Sequence, residues 1–258
     1  PITNYDLEIQ SAKGFQFTNS VDQFSDSLIV TLNAPLTSLD TISLALNNVT
    51  DRAGTVGDPI EVSFFTSILG DYNYDQKVDV QDLSVFVSKW PDIDIGPAEG
   101  VAPNLTPQID GQSNLRDIGV FTRMWHWSYG NLGASKLFAN TGEVLDVKQT
   151  STQLIIPISN EVVAGEIVME RSSPGIDFRL SNAETADRII VSSKDSKNNA
   201  HTINFGYLKQ LSSKKLHIDL LKHSTIDVDF VMKYAFYDEH GSLIKGGSKD
   251  FKIKAVPM

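Results

Sequence analysis

Along the first 66 positions apolar residues recur at every second place. Tyr5, Leu7 and Ile9 form one set and Leu28, Val30 and Leu32 another. Ile42, Leu44 and Leu46 follow, then Ile60, Val62 and Phe64. Side chains on a strand alternate between faces, so this spacing predicts half-buried strands. Turn-forming stretches such as Gly54–Pro59 punctuate them. About five strands are expected here, fewer than the seven that close a β-sandwich. An incomplete sheet leaves an open edge, and the extended start, Ile2 to Gln10, is the expected donor of a strand to such an edge.

Between residues 68 and 130 the period changes. Two polar, acidic stretches each precede apolar residues at helical spacing: Leu83, Phe86, Val87 and Trp90 in the first, Ile118, Phe121, Met124 and Trp125 in the second. Pro91–Asn104, rich in Pro, Gly and Asp, reads as an irregular connector. From residue 137 onward the short strands return. Candidates are Leu154–Ile158, Val162–Met169, Ile176–Leu180, Arg188–Val191, Thr202–Phe205, Leu216–Leu220, Val228–Tyr237 and Leu243–Ile253, enough for a β-sandwich or jelly roll. The fold class is therefore mainly β, in three parts: residues 1–67, a small two-helix unit at 68–130, and a C-terminal β-sandwich at 131–258.

Composition narrows the function classes. With 41% hydrophobic residues, the 258-residue chain can bury sizeable cores. Its net charge of −10 argues against nucleic acid as a partner, since counterion displacement needs a basic face. No apolar run is long enough to span a bilayer. The chain begins at Pro1 rather than Met and carries no visible signal peptide, as a processed product would. There are no cysteines, so neither disulfides nor thiolate metal sites can brace it.

The stretch from Asp71 to Asp82 holds the clearest chemistry. Asp71, Asn73, Asp75, Asp79 and Asp82 place oxygen donors at positions 1, 3, 5, 9 and 12 of a twelve-residue loop, and Lys77 at position 7 would offer its carbonyl. Calcium takes six to eight such oxygens, and a helix follows at once, as an EF-hand loop requires. Position 6 is Gln76 where that loop prefers Gly, and position 12 is Asp82 in place of Glu. The bland alternative is a solvated acidic turn.

The pattern repeats at an offset of 35 residues, with Asp110 for Asp75, Asp117 for Asp82 and Phe121 for Phe86. Thr106, Gln108, Asp110, Gln112, Asn114 and Asp117 form a second, weaker candidate set, with Gly111 at position 6. A donor from the connector, such as Asp92, Asp94 or Glu99, would strengthen it. The alternative is a degenerate loop kept for packing.

Paired loops of this kind, each followed by one helix, resemble dockerin domains over about Leu69–Trp127. The likeness rests on Asp71, Asn73, Asp75, Asp79, Asp82 and Leu83, then Asp110, Gly111, Asn114 and Asp117. Ile155–Ile158, Ala164–Ile167 and Gly175–Phe178 faintly resemble the early strands of cohesin-like sandwiches. Ala45–Gly54 resembles the late strands of bacterial Ig-like domains, with Thr55 where Asn is usual. These resemblances imply an exported bacterial surface protein of modular, non-catalytic build, with an Ig-like first part.

No enzyme is expected. The histidines, His126, His201, His217, His223 and His240, show no zinc spacing, and Asp227 and Asp229 read as a solvated strand face. Trp125-His126-Trp127 would pack a helix end or stack on sugar. The expected function is a calcium-stabilised structural or adhesive component at the bacterial cell surface or in a matrix, with Ca2+ as its cofactor. Its partners would be another protein or other copies of itself. The alternative is a carbohydrate-binding or anchoring appendage of a larger secreted glycan-degrading enzyme.

Overall fold

A computed structural model of the protein describes residues 2–14, 19–23, 27–32, 34–132, 140–142, 145–172, 176–181, 187–196, 198–209, 214–222 and 227–253. His223 lies outside them. The fold is mainly β, with two helices among the described residues. The chain divides into two compact units, Pro1–Lys77 with Ile93–Leu132, and Val78–Asp92 with Gly133–Met258. Residues 68–130, read from sequence as one small part, are thus shared between them.

In the first unit β1 (Ile2–Ser11), β4 (Thr41–Asp51) and β5 (Ile60–Phe65) form an antiparallel sheet in the order β1-β4-β5. The register sets Ile9 opposite Leu44 and Leu44 opposite Val62, so the period-two apolar sets share one face. β1 is therefore paired along one edge with β4 of its own chain rather than held out as a free arm, and as an end strand of this sheet it has its second edge open among the described residues. β5 is the other edge, and its Ile60, Val62 and Phe65 are 54%, 54% and 82% exposed. β2 (Asn19–Gln23) and β3 (Leu28–Leu32) pair separately.

The supposed irregular connector holds β6 (Ala98–Val101) and ends on the first residue of β7 (Asn104–Pro107), with which β6 forms a hairpin. It is anchored by polar contacts. Ser38 donates its N–H to the Leu105 carbonyl at 2.9 Å, and the Thr37 and Thr106 hydroxyls lie 2.7 Å apart. Helix α2 (Leu115–Leu132) buries Val120, Phe121, Met124 and Trp125.

The second unit is a two-sheet sandwich. One sheet runs β12-β13-β10-β15-β16 and the other β11-β14-β9-β8. Their strands are β8 (Lys148–Gln149), β9 (Gln153–Ile158), β10 (Ala164–Arg171), β11 (Ile176–Leu180), β12 (Arg188–Asp195), β13 (Ala200–Tyr207), β14 (Lys214–Lys222), β15 (Val228–Tyr237) and β16 (Leu243–Ile253). Inward residues of both sheets, among them Leu154, Ile156, Ile167, Phe178, Ile203, Phe205, Ile218 and Phe230, make one core.

Helix α1 (Val80–Ser88) packs on the outer face of this sandwich, against β10 and β13. At nine residues it is too short to persist alone, and this sheet face supplies the cover its apolar side needs. Gly206 on β13 makes the approach possible: a Cβ there would come within 2.8 Å of Val87 Cγ1 and 3.2 Å of Leu83 Cγ. Asp79 caps the helix, accepting from the Gln81 N–H, while the Asp82 side chain reaches back to the Asp79 N–H in a capping box. No helix among the described residues is long and apolar enough to cross a membrane.

Candidate functional site

The loop from Asp71 to Asp82 is folded by its own acidic side chains. Asp71 accepts the Asp75 N–H at 3.2 Å on one carboxylate oxygen and the Gln76 N–H at 2.9 Å on the other. Asn73 Oδ1 accepts the Asp75 N–H at 3.0 Å, and Asp75 Oδ1 accepts the Lys77 N–H at 3.0 Å. These turns are what Asp and Asn side chains favour. Gln76 sits at φ 69°, the left-handed conformation that position 6 demands. A non-glycine residue there is strained, so Gln76→Gly is expected to stabilise the protein by up to about 1 kcal/mol, read from denaturant midpoints.

Within this loop Asp71, Asp75 and Asp82 each bring a carboxylate oxygen to within 4.8 Å of the others. Asp71 and Asp82 are buried while Asp75 is exposed. Burial, opposed by the Gln76 N–H and reinforced by the Asp75 charge, pushes the Asp71 carboxyl above the usual aspartate range. Like charges held this close repel, and a hard cation is what their oxygens could hold together. Asn73 and the Lys77 carbonyl stand at the intervening loop positions. Asp79 is turned to capping α1 through one oxygen.

The second candidate set is brought together only in part. Thr106 lies in β7 bonded to Thr37, and Gln108 closes the hairpin, its N–H donating to the Pro97 carbonyl at 2.7 Å. Neither stands where a loop donor would. Asp94 does. It accepts the N–H groups of Asp110 and Gly111, as Asp71 accepts those of Asp75 and Gln76. The rest follows suit. Asp110 Oδ1 accepts from Gln112 N–H as Asp75 does from Lys77, Asn114 Oδ1 from Arg116 as Asp79 does from Gln81, and Asp117 Oδ2 from Asn114 as Asp82 does from Asp79. Asp117, fully buried, also accepts the N–H groups of Ile95 and Gly96, both at 2.8 Å.

The second loop is therefore a copy of the first that is interrupted after its third residue: 94–96, then the hairpin, then 109–117. The interruption is written in the offsets, which are 23 residues from Asp71 to Asp94 and 35 from Asp75 to Asp110. Asp92 and Glu99, the other connector candidates, are exposed. Arg116 lies 3.5 Å from Asp110 and puts a positive charge beside the loop. Among the described residues Asp71, Asp75 and Asp82 form the one close group of three acids, so the acids of the second loop are spread more widely.

Trp125 is buried in edge contact with Phe121, their ring centroids 5.7 Å apart, so it packs the helix. Trp127 instead lines an open cavity of about 350 Å³ with Tyr74, Leu39, Ile68 and Leu132.

Comparison with protein-family models gives no match, and neither does comparison with curated proteins. Among solved structures the chain is similar to a cohesin module from a Clostridium perfringens ATCC13124 family 33 glycoside hydrolase. The identity is 14% and the TM-score 0.30, over 43% of this chain and 94% of that one.

Proposed function

We propose that this is a non-catalytic, calcium-stabilised bacterial surface protein with a structural or adhesive role. The observation that supports it best is the approach of Asp71, Asp75 and Asp82 within one EF-hand-like loop. In this reading Asp71, Asn73, Asp75, the Lys77 carbonyl and Asp82 bind calcium, with Asp79 completing the ring of donors through water. The interrupted loop, with Asp94, Asp110, Gln112, Asn114 and Asp117, is a weaker second site of dockerin-like descent. Calcium then acts as the brace that an exported chain without disulfides needs.

The assembly part of the reading rests on β5. An exposed edge strand carrying Ile60, Val62 and Phe65 invites another strand by main-chain pairing. Size analysis in calcium should show multimers that Val62→Lys abolishes while the monomer stays folded. A wild-type chain that stays monomeric at high concentration in calcium would remove assembly from the account. A glycan-binding role is favoured by the cavity at Trp127 and Tyr74. A glycan array, repeated with Trp127→Ala, separates the two readings.

A further inference from the structure

The outer face of the larger sandwich sheet carries a polar cluster that the loop's turns do not explain. Glu166 on β10 stands directly opposite Asn204 on β13, so the two side chains leave the same face as neighbours. Tyr237 on β15 is paired with Ala164, the next β10 position on that face. Asp79, the N-cap of α1, stands close enough for its charge to act on both Glu166 and Tyr237.

Every group named here presents oxygen, and most of it is under cover. Asn204 is 8% exposed, and its Oδ1 is buried with no hydrogen-bond partner among the described residues. Tyr237 and Asp79 are 2% and 7% exposed. Burial first, and the Asp79 charge second, push the Glu166 carboxyl up to about 7. The Tyr237 phenol is raised by burial, by Asp79 and by Glu166. Buried oxygens in native proteins are matched by donors or cations, and two carboxylates beside an unmatched amide oxygen call for positive charge.

We propose that Glu166 and Asn204, with Asp79 beside them, bind a hard divalent cation between the sheet face and the first turn of α1. The ligands are the Glu166 carboxylate and Asn204 Oδ1, with Tyr237 at the rim. Two carboxylate charges balance one divalent ion, and an all-oxygen set suits calcium. Such an ion would fasten α1 to β10 and β13 from the polar end, as Leu83 and Val87 do from the apolar end. The site does not depend on the loop binding calcium, although Asp79 lies next to both.

The test is calcium added to the metal-free full chain, followed by thermal unfolding of wild type, Asp71→Ala, Glu166→Gln and the double variant. Asp71→Ala should keep part of the calcium-induced rise in Tm, and the double variant should lose that part. In chelator, Glu166→Gln should melt no lower than wild type, since it removes a half-buried negative charge that stands beside Asp79. Asn204→Asp should melt lower in chelator and show a larger calcium shift. A wild-type calcium shift in Glu166→Gln would overturn the site. So would an equal loss of Tm with and without calcium, which marks a protonated carboxyl in a structural hydrogen bond. If Asp71→Ala keeps the whole shift and Glu166→Gln loses it, this site stands and the loop reading fails.

Discussion

Chelation of calcium is expected to lower the melting temperature of the protein, and Asp71→Ala is expected to reproduce most of that loss. A ligand that binds only the folded state stabilises it by about 2.7 kcal/mol at 100 times its Kd. For a chain of this size each kcal/mol moves Tm by about 2–4 °C, so the shift should be about 5–11 °C. Asp71 is the natural target because both its carboxylate oxygens organise the loop, accepting the Asp75 and Gln76 N–H groups, while it also stands in the close acidic group. Its replacement removes a ligand and the turn that positions the others. Differential scanning calorimetry in calcium and in chelator checks both halves. A melting curve that is the same in both would remove calcium as the brace.

Phe121→Ala should cost about 3–5 kcal/mol, the range for emptying a fully buried aromatic site. Phe121 has no exposed surface, meets Trp125 edge-on and lies 6.4 Å from the Tyr72 ring, stacked within 15°. Tyr72 is the second residue of the first loop, so the cavity would open directly behind Asp71 and Asn73. The loss should therefore appear in urea unfolding and also as weaker calcium binding. A cost within about 0.5 kcal/mol, the surface range, would show that Phe121 does not hold the loop in place.

Where the chain alternates strictly, its strands were legible. Each of the eight C-terminal candidates holds a strand, with β10 starting at Ala164 rather than Val162, because runs rich in β-branched and aromatic residues fit a sheet with one buried face. The hairpin of β6 and β7 was not legible. Ala98–Val101 and Asn104–Pro107 are only four residues each and carry Gly and Pro, too short a run for alternation to stand out, and they owe their form to Thr37, Ser38 and the Gln108–Pro97 closure. That insertion hid Asp94 from any fixed-offset comparison and drew Thr106 and Gln108 into the candidate set. β1 showed its strand pattern plainly, but not its partner, since pairing with β4 is decided about forty residues away. For the same reason Glu166 and Asn204 carried no signal: only the register of β10 against β13 makes them neighbours.

The central claim is an ion in the first loop, and a crystal structure of the full chain grown in calcium, with anomalous scattering used to identify the ion, tests it most directly. The account predicts a calcium peak enclosed by Asp71, Asn73, Asp75, the Lys77 carbonyl and Asp82, with ligand distances of about 2.3–2.6 Å. A loop holding only water at saturating calcium, its Asp71, Asp75 and Asp82 carboxylates still drawn together, would contradict it.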